Sequence, residues 1–156
     1  MIQKKNKNEI PKAKIAAFRL LKVRIRSEKE LKSRLAQRNF SSKVINSILR
    51  GFKQIGLIND QDFAKSWIQS RIAKGFGERR IVLELKQKGI SDSIIKNQIQ
   101  KTQKTYSPKA VIRQLIEKRL KRYKSLEPLV IKRRLYGFLV RRGFDINIVL
   151  KEIHNI

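Results

Sequence analysis

The stretch LELKQKGISDSII (Leu83–Ile95) has close counterparts near both ends of the chain. They are LKSRLAQRNFSSKVI (Leu31–Ile45) and LYGFLVRRGFDINIV (Leu135–Val149). Each copy has a Leu followed after three residues by Gly or Asn, then a bulky apolar residue, then Ser or Asp. Three copies of one pattern in a chain of 156 residues indicate an internal repeat.

Each copy is predicted to be two helices joined by a tight turn. It begins with two apolar residues at i and i+4, the spacing of a buried helix face. The Gly or Asn tolerates the left-handed conformation that ends a helix, and the apolar residue after it packs back on the last turn. A Ser or Asp then caps the following helix. In chain order the apolar pairs are Leu31/Leu35, Ile81/Leu85 and Leu135/Leu139, the turn residues are Asn39, Gly89 and Gly143, and the predicted caps are Ser41 or Ser42, Ser91 and Asp145.

A further amphipathic helix precedes each copy, at about 12–24, 60–74 and 108–123, the second of them capped by Asn59 or Asp60. Equivalent positions lie 50 residues apart (Leu35 to Leu85) and 54 apart (Leu85 to Leu139), so the period is three helices. We therefore predict an all-α fold, an elongated tandem array of three three-helix repeats with helix-turn-helix-like units. The expected divisions are a flexible basic arm (1–11), repeat 1 (12–58), repeat 2 (59–101), a hinge (102–107) and repeat 3 (108–156).

The charge of the chain predicts a polyanionic partner. Lys and Arg number 39 against 12 Asp and Glu, a net charge of +27, which destabilises a compact state unless anions screen it. This charge favours DNA, RNA or an anionic membrane surface, and a ribosomal or architectural role fits it equally. No apolar run approaches the ~20 residues that cross a bilayer. The chain has no cysteine, which fits a reducing cytoplasm.

The sequence offers little for catalysis. Acidic residues are few, and several stand where helix starts need them, such as Asp60, Asp62, Glu78 and Asp145. There is no glycine-rich phosphate loop followed by Lys-Ser/Thr, no histidine-based metal cluster and no nucleophile–base constellation. The segment GFGER (Gly75–Arg79) lies between two amphipathic helices with no strand before it. We therefore expect a protein that is not an enzyme and that uses no cofactor or metal.

A basic residue recurs just before the turn residue of each copy, as Arg38, Lys88 and Arg142. One interpretation is a row of phosphate contacts, one per repeat. The other is a cation that complements the C-terminal end of a helix dipole. Both interpretations stay open from the sequence. The other candidate contacts to nucleic acid, several of them in the basic clusters Lys118–Lys124 and Lys132–Arg134, are Arg24, Arg26, Arg71, Arg79, Arg80, Lys118, Arg119, Arg122, Arg133 and Arg134.

Three aromatic residues are candidates for stacking on bases. Trp67 and Phe63 lie on the apolar stripe of the helix at 60–74, which favours packing in the core, with Trp67 largely buried together with Ile81 and Leu85. Tyr106, near the predicted hinge, is the aromatic residue expected to be exposed.

The middle of the chain reads GLINDQDFAKSWIQSRIAKGFGERRIVLELKQKGIS (Gly56–Ser91). In order, it contains Gly-Leu-Ile, an acidic pair, Phe-Ala, an Arg before Gly-x-Gly, Arg-Ile, Glu-Leu and Lys-Gly-Ile. This pattern resembles the bacterial RecX regulatory proteins. The segments RSEKELKSRL (Arg26–Leu35) and FLVRRGFDINIV (Phe138–Val149) are similar to the family's flanking repeats. The resemblance covers roughly residues 14–153.

The resemblance implies a regulator that binds the RecA recombinase and its filament on single-stranded DNA and inhibits strand exchange, ATP hydrolysis and coprotease activity. Such a protein would modulate DNA repair and the SOS response in the cytoplasm. Double-stranded DNA is a second nucleic-acid candidate, and we expect a monomer with no membrane partner. The competing hypothesis is a sequence-independent DNA- or RNA-binding protein without a recombinase partner. A nuclease is disfavoured because the sequence lacks carboxylate clusters.

Overall fold

The nine elements of regular structure in the described residues are all α-helices. The computed structural model describes residues 2–123 and 125–156, with side chains from residue 9 onward. In chain order the helices are α1 (Ile2–Val23), α2 (Glu28–Ala36), α3 (Ser42–Gln54), α4 (Asp60–Ala73), α5 (Glu78–Gln87), α6 (Asp92–Gln103), α7 (Pro108–Leu120), α8 (Pro128–Arg141) and α9 (Ile146–His154). They follow one another as three sets of three, so the predicted all-α tandem array of three-helix units is confirmed.

Helix α1 begins about ten residues earlier than the sequence predicted. Residues 2–11, expected to form an arm, belong to α1, which runs through Pro11. Near this end of the helix the carboxylate of Glu9 accepts a hydrogen bond of 3.0 Å from the hydroxyl of Ser41. The chain start is therefore helical from Ile2; Met1, the rest of the expected arm, lies outside the described residues.

The three predicted turn residues adopt the left-handed conformation. Backbone φ is +63° at Asn39, +80° at Gly89 and +85° at Gly143. In the third copy the amide of Phe144 donates to the carbonyl of Leu139 at 3.3 Å, the long bond that closes a helix in a Schellman turn. The prediction of a recurring helix-ending turn is therefore confirmed.

Helix starts follow the predictions in part. Asp145 accepts a bond of 2.9 Å from the amide of Asn147 and caps α9 as predicted. Asn59, not Asp60, caps α4, since its side-chain oxygen lies 2.9 Å from the amide of Gln61. Ser41 occupies the N-cap position of α3 as predicted, but its side chain does not bond to the helix, because its hydroxyl donates to Glu9 instead.

The chain forms two compact units, each with its own packing. The first runs to Ala64 and also includes Lys86–Ile94, whereas the second comprises Lys65–Leu85 and Ile95–Ile156. Within the first unit, the fully buried hydroxyl of Ser27 donates to the carbonyl of Lys88 at 2.7 Å. That bond ties the segment around Gly89 to the start of α2.

The core of the first unit lies among α1, α2 and α3. Helix α1 contributes the small residues Ala13, Ala16 and Ala17, which leave room for the neighbouring helices to approach. Helix α2 contributes the predicted pair Leu31 and Leu35, both fully buried. The remaining buried residues of this core are Val44, Ile45, Ile48, Leu49, Phe52 and Ile58.

The core of the second unit is built mainly from α7, α8 and α9. The predicted pair Leu135 and Leu139 is fully buried, and Phe144 after the turn is 2% exposed. In the same unit Ile81 and Leu85 of α5 are buried, so all three predicted i, i+4 pairs face a core. The other members of the α7–α9 core are Ile112, Ile116, Val149 and Ile153.

None of the helices in the described ranges is both long enough and apolar enough to cross a bilayer.

Candidate nucleic-acid interface

Three arginine side chains of the second unit surround the ring of Phe76, in the turn between α4 and α5. The guanidinium carbons of Arg80, Arg142 and Arg71 lie 4.6, 5.0 and 5.1 Å from the ring centroid. Arg71 stands in the last turn of α4, Arg80 near the start of α5, and Arg142 just after α8. The electron-rich ring face attracts cations, so one aromatic side chain holds three like charges close together.

A second ring, Phe138 of α8, extends this arrangement. The guanidinium carbon of Arg119 lies 4.0 Å from its centroid and that of Arg142 lies 4.8 Å from it. Arg119 stands in the last turn of α7, so α4, α5, α7 and α8 all contribute to one surface. We call this surface the arginine–aromatic cluster; its members are Arg71, Phe76, Arg80, Arg119, Phe138 and Arg142.

Arg142 is the fixed centre of the cluster. Its Nη1 donates to the carbonyls of Lys74 and Gly75 at 2.6 and 2.8 Å, at the end of α4. Burial lowers the pKa of Arg142, and the positive charges of Arg119 and Arg80 lower it further. The neighbouring guanidiniums therefore repel one another, and the cluster presents a strongly positive potential.

Glu84 is the one carboxylate, among the described residues, that is ion-paired with the cluster. Its oxygens lie 2.6 Å from Nε of Arg71 and 3.1 Å from Nε of Arg80, and the indole N–H of Trp67 donates to it at 3.1 Å. Burial alone would raise the pKa of Glu84, but the bonds from Arg80, Arg71 and Trp67 lower it overall. Four guanidiniums against one carboxylate leave three positive charges uncompensated.

Some N–H donors of the cluster have no acceptor within the described part of the chain. Arg71 and Arg80 each use Nε on Glu84, which leaves the terminal nitrogens of Arg71 without a protein acceptor in the described part of the chain. The side chain of Arg80 is 46% exposed. A guanidinium offers five N–H donors in a planar fork that matches phosphate oxygens. The chemistry that fits this surface is therefore a phosphate or another oxyanion.

The recurring cations Arg38, Lys88 and Arg142 occupy three different environments. Arg38 is exposed and forms no side-chain hydrogen bond or ion pair with any described residue. Lys88 is half-buried, and its ammonium lies 2.6 Å from the carboxylate of Glu30. Arg142 bridges to carbonyls as described above. Equivalence in the sequence repeat is therefore not equivalence in surroundings.

The other predicted contacts of the first unit are held by neighbours within that unit. Arg24 pairs with Glu30 at 3.0 Å. Arg26 donates from Nε to the carbonyl of Leu20 at 3.1 Å, and burial lowers its pKa. Arg38 is thus the predicted contact of this unit whose side chain is free to meet a ligand.

The predicted contacts of the second unit outside the cluster fall into two groups. Arg79 pairs with Asp145 at 2.7 Å, and Arg134 lies 5.9 Å from the ring of Tyr123. The second group is exposed and has no side-chain hydrogen bond or ion pair within the ranges described; it consists of Lys118, Arg122 and Arg133. Lys124, the last residue of the basic cluster Lys118–Lys124, lies outside the described residues.

Of the three expectations about aromatic residues, the one for Tyr106 is wrong. Trp67, predicted to be largely buried with Ile81 and Leu85, has intermediate exposure, and the guanidinium carbon of Arg71 lies 4.6 Å from its ring centroid. Tyr106, predicted to be exposed, has a buried hydroxyl with no hydrogen-bond partner among the described residues. Phe63, by contrast, is 2% exposed, as predicted.

The sequence reasoning missed the residues that organise the cluster. Phe76 lies in the segment Gly75–Arg79, which lacks the features of a phosphate loop, and Glu84 and Phe138 occupy ordinary helical positions of the repeat. The sequence does contain one indication of the cluster: Arg71, Phe76 and Arg80 place an aromatic residue between two basic ones around a turn. Only the fold brings Phe138 beside them.

Fold and surface together define a class: a strongly basic protein of tandem three-helix units. Three family models match the chain in register with these units. They are RecX, first three-helix domain, over residues 13–50; RecX, second three-helix domain, over 59–97; and RecX, third three-helix domain, over 109–151. The chain belongs to the RecX family.

Individual relatives agree with this assignment. The Regulatory protein RecX of Mycobacterium sp. (strain JLS) is 33% identical over 151 residues, which span 94% of this chain and 82% of that protein. The Regulatory protein RecX of Amycolatopsis mediterranei (strain U-32) is 32% identical over 134 residues, spanning 85% and 76%. The crystal structure of RecX from Lactobacillus salivarius has a TM-score of 0.80 at 24% identity, with 95% of this chain and 96% of that one covered.

Proposed function

We propose that this protein regulates a RecA-type recombinase in the cytoplasm by binding the filament that the recombinase forms on single-stranded DNA. Binding inhibits strand exchange, ATP hydrolysis and coprotease activity, and so modulates DNA repair and the SOS response. The protein acts as a monomer and by occupancy, with no chemical step of its own. Support comes from the relatives, which are named regulatory proteins, and from the positive surface of the second unit.

The observation that carries the proposal is the arginine–aromatic cluster. Its guanidiniums are held by ring stacking and by the carbonyls of Lys74 and Gly75, so they lose little rotamer entropy when they meet a phosphate. Three uncompensated charges repel one another in the free protein. A phosphodiester backbone relieves that repulsion and releases its own counterions, which favours binding.

A second candidate function is sequence-independent binding of DNA or RNA without a recombinase partner, and double-stranded DNA belongs with this candidate. The net charge of +27 favours it, because such a charge attracts any nucleic acid. The two candidates differ in whether inhibition persists when free DNA is abundant.

The test measures ATP hydrolysis by the recombinase on single-stranded DNA, at limiting DNA and at DNA excess. We expect this protein to inhibit hydrolysis at substoichiometric amounts in both conditions. Inhibition that disappears when DNA is added would favour the second candidate. No inhibition in either condition would contradict both recombinase regulation and competition for DNA.

A pair of matched variants tests whether the arginine–aromatic cluster causes the inhibition. Arg80→Gln removes one charge from the cluster at a half-exposed position, and we expect it to weaken inhibition. Lys96→Gln removes one charge from α6 at an exposed position outside the cluster, and we expect it to inhibit as the wild type does. Equal loss in both variants would show that overall charge, rather than the cluster, carries the activity.

A further inference from the structure

An open apolar groove lies between α8 and α9 in the second unit, separate from the arginine–aromatic cluster. Its volume is about 410 Å³. Five apolar or aromatic side chains and two cations line it: Leu129, Val130, Tyr136, Leu150, Ile153, Lys132 and Arg133. Neither the repeat pattern nor the proposed DNA contact explains why this surface is apolar.

The groove exposes large aliphatic side chains that the core does not use. Leu129 is 81% exposed and Leu150 is 51% exposed. Helix α8 already buries Leu135 and Leu139, and α9 already buries Val149. The exposed leucines can therefore be covered only by a bound partner. Each Å² of apolar surface that the partner removes from water contributes roughly 25 cal/mol to binding.

The rim of the groove is positive. Lys132 and Arg133 line it, and neither has a side-chain ion pair among the residues described. Glu152, the acidic residue of α9, is 6% exposed and is held by Arg113 at 2.6 Å. No carboxylate lines the groove within the described residues. A ligand with apolar anchors and negative flanks is complementary to this arrangement.

Other occupants fit less well. A second copy of this chain would bring two molecules of charge +27 together, which Coulomb repulsion opposes. Single-stranded nucleic acid binds through bases stacked on aromatic rings, and Tyr136 is the one aromatic side chain in the lining, against four aliphatic ones. A folded or folding protein segment supplies both leucine-type anchors and carboxylates.

We propose that the α8–α9 groove is a docking site for an acidic amphipathic helix of a partner protein. The helix lays an apolar stripe at i, i+4 and i+7 against Leu129, Tyr136 and Leu150, which is the usual geometry of helix-in-groove recognition. Its flanking carboxylates face Lys132 and Arg133. The third unit of the repeat thus supplies a protein contact, whereas the cluster supplies the phosphate contact.

Three labelled synthetic peptides test the proposal by fluorescence anisotropy with the full chain. The first is a helix-forming peptide with leucine at i, i+4 and i+7 and glutamate on the flanks. The second keeps the leucines but replaces glutamate by lysine, and the third keeps glutamate but replaces leucine by serine. We expect the first peptide to bind at least about tenfold more tightly than either control.

Variants of the chain place the binding in the groove. Leu129→Ser and Leu150→Ser change exposed side chains, and we expect each to weaken binding of the acidic peptide while binding of oligo-dT stays unchanged. Lys132→Glu should weaken binding of the acidic peptide and strengthen binding of the basic one. Leu83→Ser, at a leucine of α5 that is 57% exposed, is the matched control and should bind the acidic peptide as the wild type does.

Three results would overturn the proposal. The first is equal affinity for all three peptides, or none for the acidic one. The second is displacement of the acidic peptide by oligo-dT in the wild type and in Arg80→Gln alike, which would make the groove a nucleic-acid site. The third is a concentration-dependent dimer that Leu150→Ser dissociates, which would make the occupant a second copy.

Discussion

The amide of Gly77 donates a hydrogen bond to the carbonyl of Arg142 at 2.8 Å, and this places Gly77 directly against the backbone of Gly143. A second bond of 3.0 Å, from the amide of Arg79 to the carbonyl of Gly143, closes the pair. The turn between α4 and α5 is thereby fastened to the turn between α8 and α9 within the second unit. The same contact positions Phe76 beside Arg142, so it holds the arginine–aromatic cluster together.

Gly77→Ala is expected to destabilise the second unit by about 1–3 kcal/mol. A Cβ at this position would overlap the carbonyl of Gly143 and the amide of Phe144, and backbone atoms held in a turn cannot move aside cheaply. Urea denaturation followed by circular dichroism measures the change. Gly51→Ala is the control: its Cβ would meet nothing within 4 Å, so the better helix former should stabilise the chain by about 0.5–1 kcal/mol. Equal effects of the two variants would contradict the close packing at Gly77.

The roles of the turn glycines could be predicted from the sequence only in part. Gly89 and Gly143 could be assigned a left-handed conformation from the sequence, because each sits between a helical apolar pair and a new cap. Gly77 carries no such local pattern. Its small size is required by a residue that lies 66 positions further along the chain (77 to 143), and only tertiary structure brings the two together. Local conformation was therefore predictable, whereas this long-range contact was not.

Arg142→Lys is expected to lower stability by about 1–3 kcal/mol although the charge is kept. A lysine ammonium cannot bond to the carbonyls of Lys74 and Gly75 while stacking between Phe76 and Phe138, as the planar guanidinium does. Thermal unfolding provides the measurement. Arg38→Lys changes the equivalent position of the first repeat, where the side chain is exposed, and should be neutral within about 0.5 kcal/mol. A neutral Arg142→Lys would mean that these contacts contribute nothing.

The contrast between Arg38 and Arg142 also limits how far the site could be predicted. The repeat identifies which positions are equivalent and places both cations at a helix end. It cannot say which of them meets a second aromatic ring or a free carbonyl, because Phe76 and the carbonyls of Lys74 and Gly75 come from a different repeat. Phe138 and Glu84 look like ordinary helical positions in the sequence, and their partners appear only when a neighbouring helix packs beside them: α7 brings Arg119 to Phe138, and α4 brings Arg71 to Glu84.

Glu30 makes the first unit sensitive to acid. Burial opposes its ionisation, but hydrogen bonds from Arg24 and Lys88 lower its pKa from 4.5 to about 2. Since the folded pKa is the lower one, the carboxylate contributes stability that is present above about pH 4.5 and is lost as the pH falls towards 2. Glu30→Gln should therefore cost on the order of 1–2 kcal/mol at pH 7, after allowance for solvent screening. The difference from the wild type should shrink as urea midpoints are measured at successively lower pH.

The control for Glu30 is Asp62→Asn, which neutralises an exposed carboxylate that forms no ion pair with any described side chain. Its effect on stability should stay below about 1 kcal/mol, the contribution of an exposed carboxylate in the first turn of a helix. A difference between wild type and Glu30→Gln that stays constant down to pH 3 would show that Glu30 contributes through its shape rather than its charge.

Tyr106→Phe is expected to leave stability unchanged or to raise it by up to about 1 kcal/mol. The hydroxyl that the change removes is buried and has no hydrogen-bond partner among the described residues. Burial, with a smaller effect from Glu78, raises the pKa of Tyr106 to about 12. Alkaline titration followed by tyrosinate absorbance should therefore lose a group that ionises near pH 12 in the variant. Tyr123→Phe is the comparison, because its hydroxyl accepts a bond from Arg119 at 3.3 Å, and it should be mildly destabilised. A Tyr106→Phe protein that unfolds more easily would indicate that the hydroxyl has a partner.

The salt dependence of DNA binding separates contacts within the cluster from general charge. Each phosphate contact on single-stranded DNA adds about 0.7 to the slope of log affinity against log salt concentration. Arg80→Gln should therefore weaken binding of labelled oligo-dT and reduce the magnitude of that slope by about 0.7, while Lys96→Gln should leave the slope unchanged.

The triple variant of Arg38, Lys88 and Arg142 to Gln tests the row of phosphate contacts that the repeat predicts. Three equivalent contacts would lower the slope by about 2. We expect instead a change near that of two contacts, about 1.4, from the exposed Arg38 and from Arg142 in the cluster, because Lys88 is already paired with Glu30. Thermal melts of the same samples should then show a loss of stability from Lys88 and Arg142, whose side chains are held by Glu30 and by the carbonyls of Lys74 and Gly75. A decrease of about 2 in the slope without loss of stability would support the row of three phosphate contacts, and it would refute the internal contacts assigned to Lys88 and Arg142.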